Sequence, residues 1–285
     1  MKTVVVLGAL GMAGHIMTEY LSDTGAYKVL GVAREHGPRV SETFDVLDFA
    51  KLESFLKESK ANVVVNCIGV LVSASNSDIS RAILINSYLP HLLGNLADQL
   101  DFKLVHISTD CVFSGKDGGY TETSFRDGDD NYARTKALGE VTGSNRLTIR
   151  TSIIGPELKS TGTGLMDWFF KQSGELSGYS KAYWSGVTTL ELAKATHYII
   201  QQELTGLLQL CPRAKISKFE LLKLFNELWD RGCVINVNDS YAVDKSLVCT
   251  RDDFSYAVPD YKDMLGELKG WTQTHTQYYP HYHLI

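Results

Sequence analysis

Short apolar runs alternate with stretches of helical periodicity along the first half of the chain. Runs rich in β-branched residues predict strands at 3–7, 29–33, 63–68, 103–107 and 147–151. Between them, apolar residues recur at helical spacing over 12–21, 52–56 and about 79–100. Continuous apolar strands separated by helices are typical of a parallel sheet that is covered on both faces. The pattern therefore predicts an α/β fold with a doubly wound parallel sheet.

The pattern loosens after residue 155. Segment 160–164 alternates Gly with Ser and Thr, and helices are predicted at 191–202 and 219–229, the second capped by Ser217. The tail after Trp271 is rich in Tyr and His and shows no period. We predict a large domain over 1–155, with part of 186–210 packing on it, and a smaller C-terminal lobe formed mainly by 156–285.

Composition excludes several classes of protein. The apolar share of 44% and the charged share of 21% are ordinary for a globular protein. No apolar run approaches the roughly 20 residues that cross a bilayer, and the run at 3–7 is too short for a signal-peptide core. The five cysteines form no Cys-x-x-Cys pair, and the net charge is −5. We expect a cytoplasmic protein that binds neither nucleic acid nor a membrane.

The first predicted strand leads into a turn that contains Gly8, Gly11 and Gly14. Glycines there permit a tight turn, a close approach of the backbone to phosphate, and close packing of helix on strand. The following helix directs its free N–H groups at the same point. The spacing is Gly-x-x-Gly-x-x-Gly, and a turn that binds nothing is the alternative. Its place between strand and helix favours a Rossmann-like, dinucleotide-binding domain.

The end of the second predicted strand bears on the choice of cofactor. An acidic residue there would bond the ribose 2′-hydroxyl of NAD, whereas this chain has Arg34, with His36 and Arg39 nearby. A guanidinium can pair with a 2′-phosphate, although a solvated arginine is the alternative. NADP(H) is therefore favoured over NAD(H). Asp45 and Asp48 either reach the adenine or cap the next helix.

Tyr132 and Lys136 stand four residues apart in a helix-forming stretch, and so share one helix face. A free tyrosine has a pKa near 10, and a neighbouring cation lowers it. Tyr132 would then protonate the alkoxide that forms when hydride reaches a ketone, and Lys136 would also hold the nicotinamide ribose. An exposed tyrosine and lysine on a surface helix are the alternative.

The triplet Ser108-Thr109-Asp110 supports the catalytic interpretation, because it follows the strand predicted at 103–107. Ligands of open α/β sheets bind at such strand ends, and a hydroxyl there can polarise a carbonyl oxygen. The alternative is that the triplet caps a turn. Ser108, Thr109 and Asp110 are therefore candidate substrate contacts.

Six segments carry a resemblance to a known family: GALGMAG, FDVLD, VVNCIG, HISTDCVFSG, YARTKALGE and IRTSIIG. Their order is similar to that in extended short-chain dehydrogenase/reductases, and over about 1–155 the chain resembles the dTDP-4-dehydrorhamnose reductase branch. The resemblance implies NAD(P)H-dependent reduction of the C4 keto group of a nucleotide-activated deoxysugar. It implies Thr109, Tyr132 and Lys136 as catalytic residues. It implies cofactor contacts at Gly8, Leu10, Gly11, Met12, Asp45, Val46, Cys67 and Gly69, and a sugar contact at Asp110.

The chain departs from that branch at a substrate position. Where the family has Trp, this chain has Ile153, so Ile153 and Trp184 are candidate substrate contacts, with buried packing as the alternative for Trp184. Cys111 follows Asp110 where related 4,6-dehydratases have Glu, which argues against elimination of water. We interpret Cys111 as a small packed thiol.

Two other functions stay open: an NAD-dependent sugar-nucleotide epimerase, and a non-catalytic NADP-binding regulatory subunit. His275, His281 and His283 stand near the end of the chain without a period or neighbouring carboxylates. We expect these three side chains to be solvated, and we expect no metal. A monomer or a homodimer fits the sequence equally well.

Overall fold

The computed structural model describes residues 1–282, and its centre is a seven-stranded parallel sheet in the order β10-β6-β5-β4-β1-β2-β3. The strands are β1 (Lys2–Leu7), β2 (Tyr27–Ala33), β3 (Val40–Thr43), β4 (Val63–Asn66), β5 (Lys103–Thr109), β6 (Arg146–Thr151), β7 (Ile153–Ile154), β8 (Glu175–Trp184), β9 (Val187–Thr188), β10 (Gly206–Gln209), β11 (Ile216–Ser217) and β12 (Val234–Asp244). The predicted α/β fold with a parallel, Rossmann-like sheet is confirmed.

The helices are α1 (Met12–Asp23), α2 (Phe49–Ser59), α3 (Val72–Ser77), α4 (Ile79–Ala82), α5 (Leu89–Leu100), α6 (Asn131–Leu138), α7 (Leu165–Phe170), α8 (Thr189–Gln201), α9 (Lys218–Leu228) and α10 (Tyr261–Thr274). A π-helical turn at Ile83–Tyr88 joins α4 to α5, so the helix predicted at 79–100 contains a wider central turn. Three 3₁₀ turns lie at Asp110–Val112, Thr276–Tyr278 and Pro280–Tyr282.

Both faces of the central sheet are covered, because successive side chains of each strand point to opposite faces. Val4 and Val6 pack into the core that α1 and α8 cover. Val5 and Leu7 pack into the core that α2 and α5 cover. Burial on both faces explains why the strands of this sheet are continuously apolar in the sequence.

The chain reverses direction across the sheet at β1, which lies between β2 and β4. Ligands of doubly wound sheets bind at the carboxyl edge next to this reversal. A Cβ built on Gly8 would lie 2.9 Å from Ile68 Cγ1, so the turn after β1 touches the loop after β4. The reversal therefore brings the glycine turn and the end of β4 together.

The second half of the chain contributes to two layers. β10 pairs with β6 in the central sheet, and α8 packs on α1. The remainder forms a three-stranded sheet in the order β11-β8-β12, with α9 and α10 beside it, and a two-stranded sheet of β7 and β9. Among residues 1–282, no helix is both long and apolar enough to cross a bilayer.

The segment after α10 packs against the central sheet's helices. Tyr279 and Tyr282 are 2% and 3% exposed, and the Tyr279 hydroxyl lies 2.8 Å from His15 Nε2 on α1. The aromatic residues that gave no period in the sequence therefore belong to the core. His283 lies outside the described residues.

Candidate active site

The turn after β1 has the geometry that its glycines predict. Gly8 has a φ of +86°, and the N–H groups of Gly8 and Ala9 both donate to Val32 O, at 2.9 and 3.0 Å. A Cβ on Gly14 would lie 2.0 Å from Gly8 O, so only glycine lets α1 pack this closely on the turn. No side chain caps α1 at Gly11, which leaves the start of the helix open to an anion.

The charged residues near this turn have different surroundings. Arg34 is exposed just beyond β2 and makes no hydrogen bond with another described residue. Arg39 is held instead by Glu19 and Asp23, at 2.8 and 3.2 Å, and so is not free to bind a phosphate. Arg34 therefore remains the candidate for the 2′-phosphate.

Asp45 and Asp48 have separate structural roles. Asp48 caps α2 by accepting from Lys51 N at 3.0 Å, so for Asp48 the capping alternative is confirmed. Asp45 Oδ1 accepts from Leu47 N at 3.0 Å and fixes the turn before α2. The second oxygen of Asp45 lies 3.9 Å from an Arg81 nitrogen.

The other predicted cofactor contacts lie along the carboxyl ends of β1, β2 and β4. Leu10 packs against Gly37, where an added Cβ would lie 2.7 Å from Leu10 Cδ2. Met12 opens α1, and Val46 is buried on the other face of the sheet, in the core that α2 and α5 cover. Cys67 and the exposed Gly69 follow β4. Burial raises the pKa of the Cys67 thiol to about 12, so this thiol stays uncharged.

Helix α6 begins at Asn131, where Asp130 caps it by accepting from Ala133 N at 2.7 Å. The helix presents Lys136 to the carboxyl half of β5, and Lys136 Nζ donates to Ile107 O at 2.7 Å. Thr109 ends β5, where its hydroxyl donates to Asp110 Oδ1 at 3.2 Å. The phenol of Tyr132 is near enough to Thr109, Asp110 and Cys111 for all three to act on its pKa.

Burial dominates the proton affinities of these groups. Burial raises the pKa of the Tyr132 phenol. Cys111 and Asp110 raise it further, whereas the Thr109 side chain lowers it. Burial lowers the pKa of Lys136 to about 8, and Glu140 opposes this change. The sequence predicted that Lys136 lowers the pKa of Tyr132. In the structure the pKa of Tyr132 is raised, because desolvation outweighs the favourable neighbours.

Two of the predicted substrate contacts lie inside the protein. Ser108 points away from Thr109, as strand alternation requires, and its hydroxyl donates to Glu140 Oε1 at 2.8 Å. This bond belongs to a buried ion pair, in which Arg150 reaches Glu140 at 2.7 Å. Trp184 is 4% exposed, so the buried alternative describes it. Ser108 thus stabilises the ion pair instead of facing a ligand.

Ile153 is half-buried in β7. It pairs with Val187 of β9, next to the segment that ends at Trp184. Cys111 packs beside Asp110, and burial raises the pKa of its thiol to about 12. A thiol that holds its proton this firmly is a poor nucleophile, which agrees with its interpretation as a packed residue.

Two cations that the sequence did not single out face the strand end. Burial raises the pKa of the Asp110 carboxyl, while Lys245 and Lys218 lower it. Lys218 Nζ lies 5.1 Å from the centre of the Trp184 ring. Neither ammonium donates a hydrogen bond to a described residue. No motif marks these lysines, because only the packing of the C-terminal lobe brings them to Asp110.

His275 differs from its expected solvated state. Its ring stacks on Trp271 with 4.0 Å between centroids, and its side chain is 16% exposed. His275 is also close to two carboxylates of α1, those of Glu19 and Asp23. A ring nitrogen of His275 and one oxygen of each carboxylate lie within 4.8 Å of one another. Arg39 binds both carboxylates, so a cation already occupies the place that a metal would take.

A comparison with protein families decides the classification. The family model described as RmlD substrate binding domain matches residues 1–232. The chain belongs to this family. The RmlD match extends past β6 and includes β10, which returns the chain to the central sheet, and α9, which packs beside the second sheet.

Two curated relatives illustrate the range of the family. The probable low-salt glycan biosynthesis reductase Agl14 of Haloferax volcanii is 28% identical over 144 residues, which cover 47% of this chain and 46% of that protein. The dTDP-4-dehydrorhamnose reductase of Streptomyces griseus is 32% identical over 138 residues, covering 48% and 43%. The chain thus spans about half the length of the curated relatives it matches.

A solved structure agrees over nearly the whole chain. The dTDP-4-dehydrorhamnose reductase of Bacillus anthracis, in complex with NADP, superposes with a TM-score of 0.81 and covers 95% of this chain and 100% of its own. Sequence identity is 19%. At this identity the likeness establishes the fold.

Proposed function

We propose that the protein is an NADP(H)-dependent reductase that acts on the C4 keto group of a nucleotide-activated deoxysugar. The observation that carries the proposal is the convergence of Thr109, Tyr132 and Lys136 at the carboxyl end of β5. This edge also holds the glycine turn, where a dinucleotide fits. Lys136 is buried and Tyr132 half-buried beside a strand-end hydroxyl, whereas a tyrosine and lysine on a surface helix would be solvated.

The residues around the turn fit a phosphorylated dinucleotide. The N-terminus of α1 lacks a side-chain cap, and Gly8 and Gly14 leave room for a pyrophosphate against the backbone. Arg34, exposed and without a partner among the described residues, would hold the 2′-phosphate. The NADP in the Bacillus anthracis relative supports this choice.

In the proposed reaction a bound NADPH would supply the hydride that reaches the carbonyl carbon. Thr109 donates a hydrogen bond to the carbonyl oxygen and polarises it. Tyr132 gives its phenolic proton to the same oxygen, because a protonated phenol is the state that burial favours. Lys136, fixed on the backbone of β5, would hold the ribose of the bound cofactor.

The lysines opposite Asp110 fit an anionic substrate. Lys218 and Lys245 lie on the C-terminal lobe and flank the carboxyl that would contact the sugar. A diphosphate on C1 would give both ammoniums the hydrogen-bond acceptors that no described residue provides. The overall charge of −5 provides no general attraction, so these local cations would carry the recognition.

The decisive experiment measures NADPH consumption with a dTDP-4-keto-6-deoxysugar. The Tyr132→Phe variant should lose at least about 100-fold in kcat, because the proton donor is removed while packing is kept. Tyr179→Phe is the matched control, since Tyr179 is 41% exposed on β8. A Tyr132→Phe enzyme with wild-type kcat would contradict the proposal.

The same assay separates the other two functions. Net oxidation of added NADPH excludes an epimerase, which returns its hydride to the sugar. A regulatory subunit would bind NADPH tightly yet consume none with any keto sugar, and Tyr132→Phe would leave its partner's activity unchanged.

A further inference from the structure

A buried histidine lies directly behind Lys136 and takes no part in the proposed chemistry. His106 on β5 is 0% exposed, as is Asn66 at the end of β4. The Asn66 side-chain nitrogen lies 3.1 Å from His106 Nδ1, and Lys136 Nζ lies 3.5 Å from His106 Nε2. The three side chains form a connected row from the interior to the catalytic face.

The orientation of the Asn66 amide decides which ring nitrogen of His106 carries the proton. Ile68 N–H donates to Asn66 Oδ1 at 3.1 Å, so the amide NH₂ must be the group that faces His106. An NH₂ group can only donate, and His106 Nδ1 must therefore accept with a free lone pair. The neutral ring then has its hydrogen on Nε2.

His106 is neutral under ordinary conditions. Burial holds the pKa of its imidazole well below the usual value, and the charges of Lys136 and His91 act in the same direction. The Nε2–H of this neutral ring points at Lys136 Nζ. An ammonium has three N–H groups and no lone pair, so it would face another donor there. A neutral amine has a lone pair that can accept.

We propose that His106 is a positioning residue for Lys136: Asn66 fixes its Nε2–H tautomer, and this N–H binds the uncharged Lys136 amine in preference to the ammonium. Ile107 O accepts from Nζ in either state and keeps the group in place. Lys136 then gains and loses a proton in the working pH range instead of remaining a permanent cation.

The other groups around Lys136 leave this assignment intact. Glu140, two residues beyond the end of α6, favours the ammonium, but its carboxylate already binds Arg150, Arg126 and Ser108. Cys67, just after β4, would favour the ammonium of Lys136 only as a thiolate. Burial raises the pKa of its thiol to about 12, so the thiol stays protonated and uncharged. The hydrogen bond from His106 therefore acts together with burial in favouring the uncharged amine, and against Glu140.

The first test reads the tautomer in the unmodified protein. Long-range ¹⁵N–¹H spectra of the ¹⁵N-histidine-labelled protein distinguish Nδ1–H, Nε2–H and charged rings, with His106→Phe providing the assignment. We expect His106 to be the neutral Nε2–H form at about pH 7. An Nδ1–H ring or an imidazolium would overturn the proposal.

The second test follows Lys136 itself through the ¹³Cε signals of labelled lysines, assigned with Lys136→Met. In His106→Phe the titration midpoint of Lys136 should rise by about one pH unit, the size of one lost hydrogen bond to the neutral amine. Phenylalanine is less polar than histidine, which alone would lower the midpoint, so a rise has one explanation. An unchanged or lower midpoint contradicts the proposal.

His197→Phe is the matched control, because His197 bonds Tyr27 on the far side of the sheet and should leave Lys136 unaffected. Neither measurement uses substrate or cofactor. The proposal rests on the proposed function, because Lys136 is a residue of the proposed reductase. The two kinds of failure are still distinguishable: a failed reductase assay would not change the His106 tautomer or the Lys136 titration, and failure of these two measurements would not change the reductase assay.

Discussion

Burial, which no sequence motif records, sets the chemistry of the side chains at the end of β5. Tyr132 and Lys136 were identified from their spacing, and their ordinary pKa values suggested a cation that lowers the pKa of a phenol. Both groups are desolvated in the structure, which raises the pKa of Tyr132 and lowers that of Lys136 to about 8. The sequence therefore predicts which groups meet and leaves their protonation to the packing.

The pH dependence of turnover should report the lowered pKa of Lys136. If the ammonium is the active form, kcat/KM is constant at lower pH and falls as pH rises through about 8. The pH profile of NADPH oxidation measures this limb. Lys103→Met is the control, because burial also lowers the pKa of Lys103 to about 8, at the opposite end of β5. If the fall of kcat/KM at high pH were absent in Lys103→Met, that fall would belong to Lys103 and the prediction for Lys136 would be wrong.

Ser108 shows why neighbouring polar residues were not separated by motif alone. The triplet Ser108-Thr109-Asp110 looks uniform in sequence, yet strand alternation sends its first hydroxyl to Glu140 on the inner side. Trp184 was likewise ambiguous, since an indole can line a ligand site or fill a core. Its burial follows from contacts with Tyr261 on α10, a helix that the sequence pattern did not reveal.

Five of the seven central strands were predicted because each is a short apolar run, whereas no strand was predicted at β3 or β10. β1, β4 and β5 are continuous apolar runs, and α1 follows a turn in which Gly14 meets Gly8 O. β12 has no such signal. Its pairing with β8 shifts register between Asn238 and Ala242, so its apolar residues do not alternate regularly.

The close contact of α1 with its turn yields a stability prediction. Gly14→Ala should reduce the free energy of unfolding by about 1–3 kcal/mol and weaken NADPH binding, because the new Cβ would overlap Gly8 O. Gly266→Ala on α10 is the matched control, since its Cβ would meet nothing within 4 Å. That change should be neutral or stabilising by about 0.5–1 kcal/mol. Denaturant unfolding and fluorescence titration with NADPH provide the two readouts; equal behaviour of both variants would refute the role of Gly14.

The proposed catalytic residues were within reach of sequence reasoning, whereas the proposed substrate contacts depend on the whole molecule. Thr109, Tyr132 and the glycine turn lie within the first 155 residues. Lys218 and Lys245 come from the C-terminal lobe and reach Asp110 only through tertiary packing. Gly115 shows how close that packing is, because its Cβ would lie 2.9 Å from Lys245 Cγ.

The lobe's contribution can be measured by binding. Lys218→Met should weaken the binding of dTDP by about tenfold, because one charged hydrogen bond to phosphate is lost, while thymidine and NADPH bind as before. Lys223→Met is the control, since Lys223 is exposed on the same helix with its Nζ 5.5 Å from the Phe219 ring. Isothermal titration calorimetry measures the dTDP affinity. An equal affinity in both variants would contradict the prediction and would mean that Lys218 acts only on Asp110.

β10 enters the central sheet beside β6 after the chain has already left it to begin the lobe. The protein is therefore not a pair of modules joined end to end. A chimera that exchanges everything after residue 155 for the corresponding part of a relative would also replace an edge strand and the helix that covers α1. Grafts intended to change specificity need two further splice points, one at each end of residues 189–209, so that this segment stays with the scaffold that it completes.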